Sequence, residues 1–117
     1  MSVNHIVAKE VELVHEESND LSFRQLVSTK NHGLDLSLTW VEIDGKHRRL
    51  MTNKSTRVYY ILEGVFTFHV VSEAEICASA GDVVVIGRSK AYDFFGKGKY
   101  LVINGPAFQE GDDIYLP

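Results

Sequence analysis

The sequence predicts a single all-β domain, a sandwich or barrel of short antiparallel strands, and three observations point to it. Apolar residues recur at period two, as a strand with one buried face requires. "LDLSLTWVEI" (34–43) sets Leu34, Leu36, Leu38 and Trp40 against Asp35, Ser37 and Thr39, and "VFTFHV" (65–70) sets Phe66, Phe68 and Val70 against Thr67 and His69. Turn-forming clusters punctuate the chain at close spacing: "KNHG", "DGKH", "NKST", "EG", "AGD", "GKGK" and "NGP". Helical periodicity is weak throughout, and the one helix-like stretch, 9–17, also alternates.

In chain order the other expected strands are 3–8, 21–28, 57–62, 74–79, 83–86, 91–95 and 99–104, short and rich in Val, Ile, Tyr and Phe. So many short strands call for a closed or double-sheet arrangement, which hides edges that would otherwise be exposed.

A chain of 117 residues has material for one core. The expected division is N-terminal strands in 1–33, a core barrel in 34–108 and a tail in 109–117. An apolar fraction of 44% with 10% aromatics suits a folded protein. The net charge of −4, with Lys54, Arg57, Lys90, Lys97 and Lys99 scattered, argues against nucleic acid as a partner. The first residues lack the basic-then-apolar pattern of a secretory signal, and no run approaches the ~18–20 apolar residues that span a bilayer. The expectation is a cytoplasmic protein with no membrane partner. Cys77 is the single cysteine, which excludes an internal disulfide and a CxxC pair; on a strand it is expected to be a buried thiol.

From "YYILEG" onward the chain resembles the cupin superfamily of small jelly-roll barrels, over roughly residues 34–108. Two cupin motifs can be laid on it without gaps. In the first, Gly45 opens and Gly64 closes the motif, and the positions of its two histidines and glutamate fall on Met51, Asn53 and Arg57. In the second, "AGDVVVIG" starts at Gly81; Gly87 takes the proline position, Ser89 the glycine, Tyr92 the histidine and Gly96 the asparagine. The resemblance implies an all-β, single-domain cupin barrel of two antiparallel sheets. The frame glycines also have a local reason, tight turns that need positive φ.

In typical cupins the histidines and glutamate at these positions bind a divalent metal. Here they are a thioether, an amide, a guanidinium and a phenol, a set that holds Fe, Mn, Ni or Zn poorly. The expectation is therefore no metal and no cofactor. His5, His15, His32, His47 and His69 are dispersed, with no HxH pair; His47 in "IDGKHRR" is expected at an exposed turn, and His69 on the face opposite Phe66 and Phe68.

If Arg57 points inward, Tyr59 and Ile61 follow it by alternation. Arg57, Tyr59, Tyr92 and Asn53 would then share a cavity, with Met51 beside them. A buried guanidinium needs an anion or several acceptors. Two readings stand: Arg57 binds a carboxylate or phosphate of a small ligand, or it pairs with an internal acid.

Three functions follow: a barrel binding a small polar, anionic or sugar-like ligand; a metal-independent sugar isomerase or epimerase using tyrosine acid–base chemistry, for which no inward base is evident; or a structural module. Whether the chain is an enzyme stays open on the sequence. Val58, Tyr60 and Leu62 fall opposite the pocket face and must be covered, so a homodimer is expected, or an N-terminal strand (3–8 or 21–28) packing over them.

Overall fold

A computed structural model describes residues 3–117; Met1 and Ser2, the first residues of the expected domain, lie outside the described residues. The expected all-β architecture is present, in eight strands: β1 (Val14–Glu16), β2 (Leu21–Val27), β3 (Ser37–Thr52), β4 (Thr56–Val70), β5 (Ile76–Ser79), β6 (Val83–Ile86), β7 (Tyr92–Gly105) and β8 (Asp113–Tyr115). All neighbouring strands pair antiparallel, in the order β1-β2-β3-β7-β4-β5, with β6 added to β4 and β8 to β3. Among the described residues no helix is long and apolar enough to cross a membrane.

The hydrogen-bonded sheet is continuous because its three central strands are long. Turns expected at "DGKH", "EG" and "GKGK" are instead bends inside β3, β4 and β7. Gly45 pairs with Gly96, and Gly64 with Gly98, so glycines face each other across the ladder where the strands turn the barrel corner. Gly64 has φ +90°, and a Cβ there would run into the Lys97 carbonyl oxygen. Positive φ was thus read correctly, but it serves a bend with pairing maintained rather than a hairpin.

The N-terminus also departs from expectation. Residues 3–8 form no strand, and a short 3₁₀ turn spans Ala8–Glu10. The 109–117 tail supplies β8, which pairs Leu50–Thr52 with Asp113–Tyr115.

Inward residues build one core centred on aromatic rings. Tyr59, Phe66, Phe68, Phe94 and Tyr100 are essentially buried. Phe94 stacks on Phe68 at 4.7 Å and meets Tyr59 edge-on at 5.3 Å. Edge-to-face and offset stacks of this kind suit the ring quadrupoles.

The period-two reading of β3 had the wrong face inward. Leu34 and Leu36 precede the strand and are exposed, and Leu38 and Trp40 lie half-buried on the outer wall. Ser37, Val41 and Ile43 point in instead. Cys77 is exposed, because β5 is an edge strand whose inward residue is Ala78.

Gly64→Ala is expected to cost about 3 kcal/mol of stability, through left-handed strain plus the backbone clash. Gly81→Ala has a similar φ of +92° but open space around it, and should cost only about 1 kcal/mol. Urea denaturation of the two variants measures the difference; equal losses would remove the clash from the account.

Candidate functional site

Arg57 enters the barrel on β4, where alternation along Arg57, Tyr59 and Ile61 puts all three inside. Its side chain is 5% exposed, and each of its nitrogen positions has a protein partner. Nε donates to Asn104 Oδ1 at 2.9 Å, Nη1 to Tyr92 Oη at 3.3 Å, and Nη2 to Asp113 Oδ1 at 2.6 Å. Burial works against the charge, but the Tyr92 and Tyr59 oxygens and the Asp113 carboxylate more than offset it, so the guanidinium stays protonated. Of the two readings of Arg57, the geometry shows the internal ion pair.

Tyr59 Oη and Tyr92 Oη lie 2.5 Å apart. Burial pushes both phenols above their usual pKa, Tyr59 well above it, so both are neutral donors at physiological pH.

His47 was expected at an exposed turn. It is buried instead, because β3 runs straight through Gly45 and keeps Ile43 and His47 on the inward face. Its ring stacks on Phe94 at 5.0 Å and on Tyr115 of β8 at 6.3 Å. The Arg48 guanidinium covers the other partner, Tyr115, at 3.9 Å from its ring centre.

His47 Nδ1 lies 2.9 Å from the Arg48 carbonyl oxygen. A carbonyl only accepts, so Nδ1 carries the proton and Nε2 the lone pair. Among the described residues Nε2 has no hydrogen-bond partner, and no partnerless buried side-chain polar atom is sealed from solvent. Nε2 is therefore accessible to solvent, and His47 lines a cavity of the barrel. Burial holds the imidazole below its ordinary 6.5, opposed by the Arg48 hydrogen bond and by the charges of Glu16 and Asp113.

That cavity, of about 120 Å³, is walled by His47, Arg57, Tyr59, Tyr100, Asn104 and Asp113, with Phe23 and Phe108 among its apolar lining. A larger cleft of about 680 Å³ lies elsewhere, between Glu17, Asp20, Glu42, Asp44 and Glu63, but its carboxylates are exposed or paired with backbone and converge on nothing.

The structure brings Arg57, Tyr59 and Tyr92 together, with Tyr92 behind Tyr59. Asn53 and Met51 do not join them. A register shift between His47 and Leu50 reverses the parity of β3, so Leu50 and Thr52 face inward. Met51 is half-buried opposite Ile114, and Asn53 is exposed, accepting a hydrogen bond from the Ser89 hydroxyl at 2.8 Å. His47, Asn104 and Asp113 were missed. His47 and Asn104 follow the alternation of β3 and β7 once those strands are seen to run on unbroken, whereas Asp113 is revealed only by the return of the tail.

The residues at the cupin metal positions do not fit a divalent cation, since Met51 and Asn53 lie apart from Arg57 and Tyr92 and the fixed guanidinium repels a cation. Among the described residues, no three His, Cys, Asp or Glu side chains are grouped to hold a metal.

No family model matches the sequence, and no curated protein matches it. Solved structures do. The Streptomyces protein Pac13, described as a unique nucleoside dehydratase, is 18% identical over 98% of this chain and 92% of its own, with a TM-score of 0.85; a variant of it with uridine gives 0.85 at 18% identity, over 99% and 92%. KdgF from Halomonas sp. is 15% identical over 93% and 98%, with a TM-score of 0.78. Oxalate decarboxylase OxdC of Bacillus subtilis is 12% identical, with a TM-score of 0.83; this chain, 99% covered, spans 33% of that longer one. The fold is the cupin barrel.

His47 gives a pH signature. With its folded-state pKa below 6.5, the unfolded chain binds the proton first as pH falls. Stability from this group is therefore complete above pH 6.5 and declines as pH drops from there toward the lower folded value. NMR titration should place the His47 midpoint below 6.5, and His47→Gln should flatten the decline; a midpoint above 6.5 would reverse the sign.

Removing Arg57 alone, as Arg57→Met, strands Asp113 and should destabilise by about 3 kcal/mol. The pair Arg57→Met/Asp113→Leu should recover a substantial part of that loss. A double-mutant cycle by thermal unfolding that showed no coupling would mean the ion pair is not formed in solution.

Proposed function

We propose that this protein is a metal-independent acid–base enzyme whose barrel cavity takes a small, polar, sugar-like molecule and moves a proton within it. The observation that carries this reading is that His47, whose Nε2 carries a free lone pair, and the neutral Tyr59 line one cavity. A base with a lowered pKa and an acid with a raised one, lining one cavity, are the pairing that proton transfer requires.

The chemistry follows from these groups. His47 Nε2 takes the proton from a carbon beside a carbonyl, and the C–H electrons move onto the carbonyl oxygen. Tyr59 donates a hydrogen bond to that developing oxyanion. Tyr92 Oη accepts from Arg57, and with Tyr92 as donor across its 2.5 Å contact with Tyr59 the Tyr59 proton is left for the substrate. The buried Arg57 charge stands behind this chain and stabilises the negative charge as it forms. When a hydroxyl sits on the next carbon, collapse of the enolate expels it, and the proton held by His47 leaves with it as water. Without such a leaving group, return of the proton to a carbon gives isomerisation or epimerisation.

The cavity has room for about four water molecules by volume, so it admits the reacting end of a ligand while the rest lies near Phe23 and Phe108. The shared fold with a protein described as a nucleoside dehydratase supports nucleosides and their carbonyl derivatives as the first ligands to try. We place the protein in the cytoplasm, where an exposed Cys77 stays reduced.

The test is a thermal-shift screen with uridine, other nucleosides, and hydroxy-aldehyde and hydroxy-ketone sugars. Hits are followed by mass spectrometry for loss of water and by NMR in D₂O for exchange at the carbon beside the carbonyl. His47→Gln and Tyr59→Phe should each lower turnover at least about 100-fold while retaining ligand-induced stabilisation. Binding with neither exchange nor water loss in the wild-type protein would establish a non-catalytic binding barrel instead.

A further inference from the structure

We propose that Asn19 is the positioning residue for the base of this barrel, holding His47 in the tautomer that leaves Nε2 free. The inference rests on the acid–base reading given above. Asn19 acts through other groups and does not itself meet a substrate. The need for it arises in β3. The register against β7 pairs His47 with Phe94 and next Leu50 with Tyr92, so Arg48 and Arg49 stand out of the ladder. A bulge leaves backbone donors and acceptors to be satisfied elsewhere. The Arg48 N–H donates to Asn19 Oδ1 at 2.8 Å, and the Arg48 carbonyl accepts from His47 Nδ1 at 2.9 Å. One backbone residue is thus clamped between two side chains, and the clamp on its amide aims its carbonyl.

The chain delivers Asn19 to this point by a turn that takes the place of a strand. β2 pairs with β3 as far as Leu21 opposite Ile43. Beyond that pair the 3₁₀ turn Glu17–Asn19 and Asp20 take over the edge of β3. The Asp20 carbonyl accepts from the Asp44 N–H at 3.2 Å, and its carboxylate from the Lys46 N–H at 3.0 Å. Asn19 Oδ1 continues that alternate row at Arg48. Asn19 is fully buried, and both donors and both lone pairs of its amide are used. Nδ2 donates to Glu16 Oε1 and, at 3.3 Å, to Tyr115 Oη. Oδ1 accepts from the Arg48 N–H and, at 3.3 Å, from Arg48 Nε. A reversed amide would set its NH₂ against both Arg48 donors, so this orientation alone satisfies every group.

A second route leads to the same ring. Tyr115, whose hydroxyl Asn19 holds, stacks on His47 at 6.3 Å with the rings 18° from parallel. The Arg48 guanidinium lies 3.9 Å from the Tyr115 ring centre and closes the group. Asn19 therefore touches both partners that fix the base: the residue whose carbonyl accepts from Nδ1, and the ring that sets the plane of the imidazole. Phe94 packs on His47 independently of Asn19, so burial of the ring survives the loss of Asn19 while the tautomer does not. Released from Asn19, Arg48 turns its carbonyl away from Nδ1, and the proton moves to Nε2 in a growing share of molecules. That tautomer presents a donor where the chemistry needs a lone pair. Loss of an orienting partner disables a histidine base in this way in serine proteases.

Ring ¹⁵N NMR of the full chain with labelled histidine, at a pH above the imidazole titration, reads the tautomer with no substrate present. The wild-type protein should show a protonated Nδ1 and an unprotonated Nε2 at His47. The reverse assignment overturns the proposal. Asn19→Ala, folded by circular dichroism, should move the tautomer ratio about 5-fold or more toward Nε2–H, as loss of one hydrogen bond implies. Asn19→Asp keeps an acceptor facing Arg48 and should retain the wild-type tautomer. Where Asn19→Ala does not fold, Glu16→Ala/Tyr115→Phe removes both acceptors of Nδ2, lets the amide turn, and should shift the ratio the same way. Asn19→Ala or the double variant, folded but with the wild-type tautomer, overturns the proposal, because a side chain that only supported the turn would leave His47 unmoved. A tautomer that follows Asn19, in a protein showing no proton exchange on any screened ligand, removes the catalytic reading and leaves the positioning of His47 in place.

Discussion

A positive charge buried inside a small apolar barrel constrains the rest of this structure. An unpaired guanidinium in such a place would be prohibitive, so the chain must bring acceptors to it from wherever they can be supplied. Asn104 comes from β7, Tyr92 from the start of the same strand, and Asp113 from the returning C-terminus. These contacts tie β4, β7 and β8 into one unit. The tail has a structural role because it carries the countercharge. The barrel thus carries its interior cation covalently, with the neutralising acid drawn from the protein itself.

Much of the architecture was legible in the residues. The alternation of Phe66, Phe68 and Val70 marked the inward face of β4, "VVVI" at 83–86 marked β6 to the residue, and the inward position of Arg57 and Tyr59 followed from period two. The failures have physical causes. "LDLSLTW" has leucines on the face that ends up outside, because apolar residues on an outer wall leave the same alternating pattern as those facing a core. Glycine at positive φ serves a hairpin and a mid-strand bend equally well, so Gly45 and Gly64 did not show that the strands continue. Once β3 was cut at Gly45, His47 looked like a turn residue. The bulge between His47 and Leu50 then moved Met51 and Asn53 off the inward face, a parity change that no spacing rule anticipates.

The same oversight hid the chemistry. The sequence offered tyrosines as acids but no base, and that absence argued against catalysis. His47, the base of the proposed chemistry, lies four residues before Met51, and its setting depends on two contacts distant in sequence, Phe94 beneath the ring and Tyr115 beside it, and on the neighbouring Arg48 carbonyl that fixes its tautomer. A histidine acquires function from the groups that orient it, and in this barrel those groups come from β3, β7 and β8.

Burial then sets both members of the pair at once. Desolvation disfavours whichever form is charged, so it lowers the pKa of an imidazole and raises that of a phenol. One dry wall therefore favours His47 unprotonated and Tyr59 protonated, the state that the proposed chemistry needs of each, without any added device. A metal would supply an electrophile but would also compete for the His47 lone pair. Arg57 supplies a fixed positive charge with no vacant coordination site, held by Tyr92 and Asp113, and that charge also disfavours protonation of His47. The field at Tyr59 thus favours a negative oxygen, while the base stays free to accept a proton.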